Sequence, residues 1–166
     1  MTLRSIFAAL DFWVAVLLAT VTGILLPRWV RTDFVKDLYG IAIGVLSIIF
    51  SVFFAALAVI MASSDDEFVE FLEKESDYTG IIETMKFTLI ILFTALAAAL
   101  ALYSYTAYRI SVRIEYQRFL WLMAYSFLFS YALAASLSAT LDAIKYSKYR
   151  ATYLSLHLRK KCADKS

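Results

Sequence analysis

Two carboxylates stand within otherwise apolar stretches of this chain, and they are the side chains best placed to do chemistry. Asp11 lies near the start of the first apolar run, and Asp142 lies near the end of the last one. A charged carboxylate in hydrocarbon is costly, so it is protonated, paired or turned toward water. One interpretation is a ring of carboxylates at the mouth of a pore, where they attract cations or titrate. The other is an interfacial group paired with Arg4, Lys145 or Lys148.

Small side chains at helical spacing form a second pattern. The positions that either pack helices together or line a pore are Gly40, Gly44, Ser47, Ser51, Ala55, Ser126, Ser130 and Ser138. In lipid, small residues let helix backbones approach closely. The stripes therefore predict helix contacts, inside one bundle or between copies, with a narrow aqueous path in an oligomer as the alternative. Several spans carry small faces, more than one bundle of four helices must bury, so we expect a homo-oligomer.

Two charged segments of opposite sign form a third pattern. Residues 62–86 hold eight acidic and two basic side chains, whereas residues 145–166 hold seven basic and one acidic. Ser64 and Glu67 form a capping box, which predicts a short amphipathic helix in the acidic segment. The tail places Tyr146, Tyr149, Tyr153 and Leu156 on one face, as in a basic helix lying on anionic lipid. Contacts with lipid or with a soluble partner are assigned to Asp65, Asp66, Glu67, Glu70, Lys145, Lys148, Arg150, Lys160 and Lys161.

Residues for catalysis or metal binding are scarce. The chain has one histidine and one cysteine, Cys162, and no glycine-rich phosphate loop. A Ser/His/Asp set or a paired-cysteine metal site cannot be assembled from these residues. We therefore expect no enzymatic activity, no cofactor and no metal. A short basic tail is weak evidence for nucleic-acid binding, which we do not expect.

Apolar composition places these residues in a membrane. The chain is 62% hydrophobic with a mean hydropathy of +0.73, which is too apolar for a soluble domain of 166 residues. Four apolar runs are long enough to cross the bilayer, at about 6–26, 38–61, 87–108 and 119–144. The predicted fold is all-α: one membrane domain of residues 1–166, an antiparallel four-helix bundle with a basic cytoplasmic tail at 145–166. Short connections predict that consecutive helices are neighbours, and no strand is expected.

Charge and aromatic residues orient the bundle. With the N-terminus inside, ten lysines and arginines lie on the inner side and six on the outer side. The positive-inside rule then predicts that both termini are cytoplasmic. Trp29, Tyr39, Tyr103, Tyr105, Tyr108, Tyr116 and Trp121 all fall near the opposite membrane face. Aromatic rings prefer the headgroup level, so this grouping supports the span boundaries.

The central segment resembles a group of known membrane proteins. Residues 39–97 consist of "YGIAIGVLSIIFSVFFAALAVIM", a charged loop and "YTGIIETMKFTLIILFTALA". This pattern is similar to the small four-span inner-membrane proteins of bacteria and phages, among them the lambda phage exclusion membrane protein. The resemblance implies an ion-conducting or depolarising pore in the bacterial inner membrane, with a role in phage exclusion or defence. It transfers no functional residue.

A second class of function remains open. The chain also resembles, by architecture, a membrane subunit of an anti-phage system that works with a soluble protein. In that case it is a non-conducting anchor or sensor. The acidic segment or the basic tail would then recruit the cytoplasmic effector, and the small stripes would serve packing alone.

Overall fold

The structure is a computed structural model that describes residues 10–62 and 77–163, without the side chains of residues 10, 11, 77–79, 154 and 156–163. The capping box and the acidic residues Asp65, Asp66, Glu67 and Glu70 lie outside the described residues. So do the side chains of Asp11, Lys160 and Lys161.

Helices make up almost all of the described chain. They are α1 (Leu10–Leu25), α2 (Thr32–Ala62), α3 (Asp77–Ser111) and α4 (Leu120–Ala163). α2, α3 and α4 are each long and apolar enough to cross a membrane, whereas α1 is apolar but shorter, with 16 residues. The all-helical class and its membrane character are therefore confirmed.

Local sequence explains where the helices begin and end. Pro27 disfavours helical backbone in the residue before it, and α1 ends at Leu25. Asp33 lies in the first turn of α2, where a negative charge is favourable. Arg109 is in the last turn of α3, where a positive charge is favourable. Just beyond it, Arg113 adopts a left-handed backbone with φ of 58° and turns the chain out of the helix.

The helices do not all pack in sequence order. α2 packs against α3 and α3 against α4, as predicted, but α1 packs against α4 and makes no extended contact with α2. The prediction that consecutive helices are neighbours is therefore wrong for the first pair. Ala15, Ala19 and Gly23, spaced four residues apart, make this contact, since both alanines are buried and an added Cβ at Gly23 would lie 2.9 Å from Met123 Sδ. The hydroxyls of Thr22 and Ser126 hydrogen-bond across the same contact at 3.1 Å.

A two-stranded ribbon joins the two connections at one end of the helices. β1 (Trp29–Arg31) pairs antiparallel with β2 (Tyr116–Arg118), with Val30 opposite Gln117. The expectation that no strand forms is wrong at these residues. Backbone N–H and C=O groups outside the helices still need partners, and the two loops supply each other with them.

Thr32 holds this ribbon to the start of α2. Its amide donates to the Glu115 carbonyl at 3.0 Å. Its hydroxyl lies 2.9 Å from the Ile114 carbonyl oxygen and 3.1 Å from that of Glu115. The residue is 2% exposed, so water does not replace these bonds.

Thr32→Val is expected to lower the free energy of unfolding by about 1–3 kcal/mol, because the buried side chain loses its hydrogen bonds to the Ile114 and Glu115 carbonyls. Thermal unfolding of the purified protein in detergent measures the change. Thr20→Val is the matched control, since the exposed Thr20 hydroxyl bonds only to Val16 of its own helix. An equal loss in both variants would contradict the role assigned to Thr32.

The basic tail is a continuation of α4 rather than a separate helix on the lipid surface. Tyr146 is 4% exposed and belongs to the same buried cluster as Ile60, Ile81 and Met85, and Tyr149 and Tyr153 pack against that cluster. The tyrosine face predicted to lie on lipid therefore packs on the ends of α2 and α3 that lie away from the ribbon. The reason is that α3 begins before its predicted span and, together with Ile60 of α2, offers the tyrosines apolar partners.

Candidate functional site

The small stripe of α2 turns away from the protomer. Gly44, Ser51 and Ala55 are exposed, and an added Cβ at Gly44 would meet no atom within 4 Å. Only the start of the stripe approaches another helix, where an added Cβ at Gly40 would lie 3.7 Å from the Tyr103 ring. The stripe therefore lies largely on the outer surface of the protomer.

One serine of that stripe hydrogen-bonds within its own helix. Ser47 is half-buried, and the exposed Ser51 donates its hydroxyl to the Ser47 carbonyl at 2.8 Å. A serine that bonds within its own helix leaves no unpaired donor in an apolar environment. The face is therefore compatible with a second helix and also presents hydroxyl oxygens to water.

Two serines of the α4 stripe are instead used inside the protomer. Ser126 bonds to Thr22 of α1, and Ser130 is buried. Ser138 is half-buried in a shallow surface hollow that Asp142, Lys145 and Lys148 also line. The two stripes that look alike in the sequence thus lie on different sides of the molecule.

Asp142 is a paired carboxylate. Its Oδ1 lies 3.0 Å from Lys145 Nζ, one helical turn further on. This arrangement agrees with the pairing interpretation of Asp142 rather than with a free carboxylate. Lys148 is exposed near the pair and Arg150 is half-buried. Asp11 lies in α1, and its side chain is outside the described residues.

A lateral groove separates α1 from α2 and has α4 as its floor. Its volume is about 470 Å³, within the range of small-molecule sites. Its walls are mainly apolar and include Leu18, Thr22, Leu38, Ile41, Tyr125 and Ser130. The sequence did not reveal this groove, because it exists only where α1 fails to pack on α2.

Two tyrosines beside this groove carry unsatisfied hydroxyls. Tyr39 of α2 and Tyr125 of α4 meet edge to face with ring centroids 5.1 Å apart. Both hydroxyl oxygens are buried, and neither has a hydrogen-bond partner within the described part of the chain. A buried hydroxyl without a partner costs about 1–3 kcal/mol, so this feature calls for an explanation.

Sequence reasoning also missed the seam of α1. Ala15, Ala19 and Gly23 repeat at four-residue steps, the same signal that drew attention to Gly40 and Gly44. The spacing was present in the sequence, and only the packing assigned each stripe to an inner or an outer face. In α3 the same division holds: Ala95 and Ala99 are fully buried, whereas Ala97 and Ala101 are exposed.

The fold and these surfaces define a helical membrane protein. Among residues 10–62 and 77–163, no group of three or more histidine, cysteine or acidic residues is placed to hold a metal ion. No protein family model, curated protein or solved structure matches the chain.

Proposed function

We propose that the protein is a four-span membrane protein that assembles from several copies and conducts ions along a path between them. The observation that carries the proposal is the outward direction of the α2 stripe. Small faces that do not pack inside a protomer are suited to meet another copy, because lipid gives no other reason for close helix approach.

The filled interior of the protomer supports a path between copies rather than within one. Leu46, Leu92, Ala95 and Ala132 are fully buried and lie in one cluster across α2, α3 and α4. Side chains packed in this way leave no room for water along the axis of a single copy. The hydroxyl-bearing face of α2, with Ser47 and Ser51, then lines the path in the assembly.

The fourth span in this proposal is α1. Its 16 described residues extend about 24 Å, and the apolar run in the sequence begins earlier, at Ile6. A run of 21 residues reaches the length that a bilayer requires. α1 packs on α4, and α4 is long enough to span the membrane. We therefore place α1 in the membrane beside α4.

The ten-to-six distribution of lysine and arginine supports an orientation with both termini cytoplasmic, and the aromatic residues mark the opposite membrane face. Exposed rings gather at the ribbon end: Trp29, Tyr105, Tyr108, Tyr116 and Trp121. They match an aromatic belt at one headgroup layer. The ribbon then faces the outside of a bacterial inner membrane, and depolarisation of that membrane is the activity proposed in phage exclusion or defence.

One observation favours a second candidate function, a non-conducting anchor for a soluble effector. α4 contains 44 residues and extends about 66 Å, roughly twice the hydrocarbon thickness. The part beyond the membrane carries the exposed cations Lys145 and Lys148. Such a helix offers a basic docking surface to an acidic partner.

Ion flux through liposomes that contain the purified oligomer distinguishes the two functions. We expect flux from the natural protein and a loss of about tenfold or more for Ser51→Leu, since a large apolar side chain blocks a hydroxyl-lined path. Thr94→Leu is the matched control, because Thr94 is also exposed and its hydroxyl bonds to its own helix at Ile90. A well-formed oligomer without flux would favour the anchor.

A further inference from the structure

The lateral groove opens sideways into the layer occupied by lipid tails. Its lining runs from Leu18 in α1 to Leu26 just after it, from Phe34 to Ala42 in α2 and from Leu122 to Ser130 in α4. Each of these stretches covers about 12 Å of helix. This is close to half of the roughly 30 Å hydrocarbon layer, so the groove belongs to the leaflet on the ribbon side.

The dimensions of the groove favour a lipid chain over a protein helix. A membrane-spanning helix is about 30 Å long, whereas the groove extends only about 12 Å along each wall. A single acyl chain is shorter and flexible, and the leaflet supplies it at high concentration. Filling the groove also restores the dispersion contacts that its apolar walls lack when it is empty.

Tyr125 places a polar group in the wall of this apolar groove. The residue is 5% exposed, lines the groove, and its hydroxyl has no partner among the described residues. It lies five residues into α4, about 7.5 Å below the ribbon end of the helix. The ester carbonyls of a phospholipid lie just beneath the headgroups, at about the depth of this hydroxyl, whose oxygen neighbouring side chains cover in this structure.

The ribbon end carries positive charge above the groove. Arg28 and Arg118 line one hollow at the ribbon, and the Phe119 amide donates to the Arg28 carbonyl at 3.3 Å, which holds their two segments together. Within the described ranges, neither guanidinium has a carboxylate within 4 Å. Arginine binds phosphate well because its planar guanidinium donates several hydrogen bonds.

From these observations we propose that the groove binds one acyl chain of an anionic phospholipid of the ribbon-side leaflet. On entry of the chain the Tyr125 side chain turns its covered hydroxyl toward an ester carbonyl oxygen, which accepts its hydrogen bond, and Arg28 and Arg118 attract the phosphate. The site is independent of ion conduction, since it lies between α1 and α2 and does not include the outward stripe of α2.

Photo-crosslinking to the full-length protein tests the site. The probe is phosphatidylglycerol with a diazirine in one acyl chain, in detergent micelles, and labelled peptides are mapped by mass spectrometry. We expect labels on groove residues of α1, α2 and α4. Leu38→Trp fills the groove and is expected to reduce labelling there by about tenfold, whereas Leu100→Trp, an exposed position on α3 outside the groove, leaves it unchanged.

Two further variants examine the polar contacts. Tyr125→Phe keeps the ring and is expected to weaken phosphatidylglycerol retention in native mass spectrometry by about 5- to 10-fold, the value of one hydrogen bond. The double variant Arg28→Gln/Arg118→Gln is expected to remove the preference for phosphatidylglycerol over phosphatidylcholine. Unchanged retention in Tyr125→Phe would overturn the hydrogen bond assigned to it.

Two results would overturn the site itself. One is groove labelling that Leu38→Trp does not reduce, in a variant whose thermal unfolding matches that of the natural protein. The other is crosslinking of the groove to a second copy, which would make it a protein interface. Loss of ion flux or of the oligomer with groove labelling intact would reject the proposed function and leave this inference standing.

Discussion

Gly44→Ile is expected to separate the assembly into single copies while each copy stays folded. In the protomer, a Cβ at position 44 meets no atom within 4 Å, so the larger side chain has space. Against a second helix, the same side chain prevents the close approach that Gly and Ser permit. We expect self-association to weaken by about tenfold or more, since overpacking a close contact costs about 1–3 kcal/mol. Native mass spectrometry or sedimentation in detergent measures the number of copies.

Gly80→Ile provides the matched control for this change. Gly80 lies on α3, away from the stripe, and an added Cβ there also meets nothing within 4 Å. The same substitution should therefore leave both the protomer and the assembly intact. If Gly80→Ile and Gly44→Ile affect the copy number equally, the outward stripe is not the interface, and the proposed path between copies loses its main support.

Gly23→Leu is expected to detach α1 from α4. Here the protomer has no free space, because even a Cβ at Gly23 would lie 2.9 Å from Met123 Sδ. A larger side chain must push the helices apart, which also separates the Thr22 and Ser126 hydroxyls that now lie 3.1 Å apart. The expected loss of stability is about 1–3 kcal/mol, measured by thermal unfolding in detergent.

An engineered disulfide reports the same contact directly. With Cys162→Ser as the background, Thr22→Cys and Ser126→Cys are expected to crosslink under mild oxidation, because their side-chain oxygens now touch. Adding Gly23→Leu should prevent that crosslink, and adding Met123→Ala as well should restore it by making room. Efficient crosslinking in the presence of Gly23→Leu alone would show that α1 tolerates the larger residue where it lies.

Hydropathy was sufficient to predict the class of the protein but not the neighbours of each helix. Long apolar runs predict helices that cross a bilayer because backbone groups in lipid must bond within the segment. The runs at 38–61, 87–108 and 119–144 accordingly lie inside α2, α3 and nearly all within α4. The pairing of α1 with α4 depends on shape, namely Gly23 against Met123, and hydropathy carries no information about it.

The contact between the two distant loops could not be predicted from the sequence either. The residues of β1 and β2 are separated by more than eighty positions, and neither segment has the length or alternation of a typical strand. They pair because the helices bring two loops to the same end, where their backbone groups need partners. The groove and the unpartnered Tyr125 follow from the same arrangement.

The sequence by itself determined that this chain is a helical membrane protein with several faces of small residues. Only the tertiary structure decided that the Ala15, Ala19 and Gly23 face packs inside and that the Gly44, Ser51 and Ala55 face lies outside. The physical reason is that lipid, rather than water, surrounds the helices. Lipid tails and protein interiors are equally apolar, so hydrophobic periodicity cannot separate an inner face from an outer one, and close steric fit makes the choice.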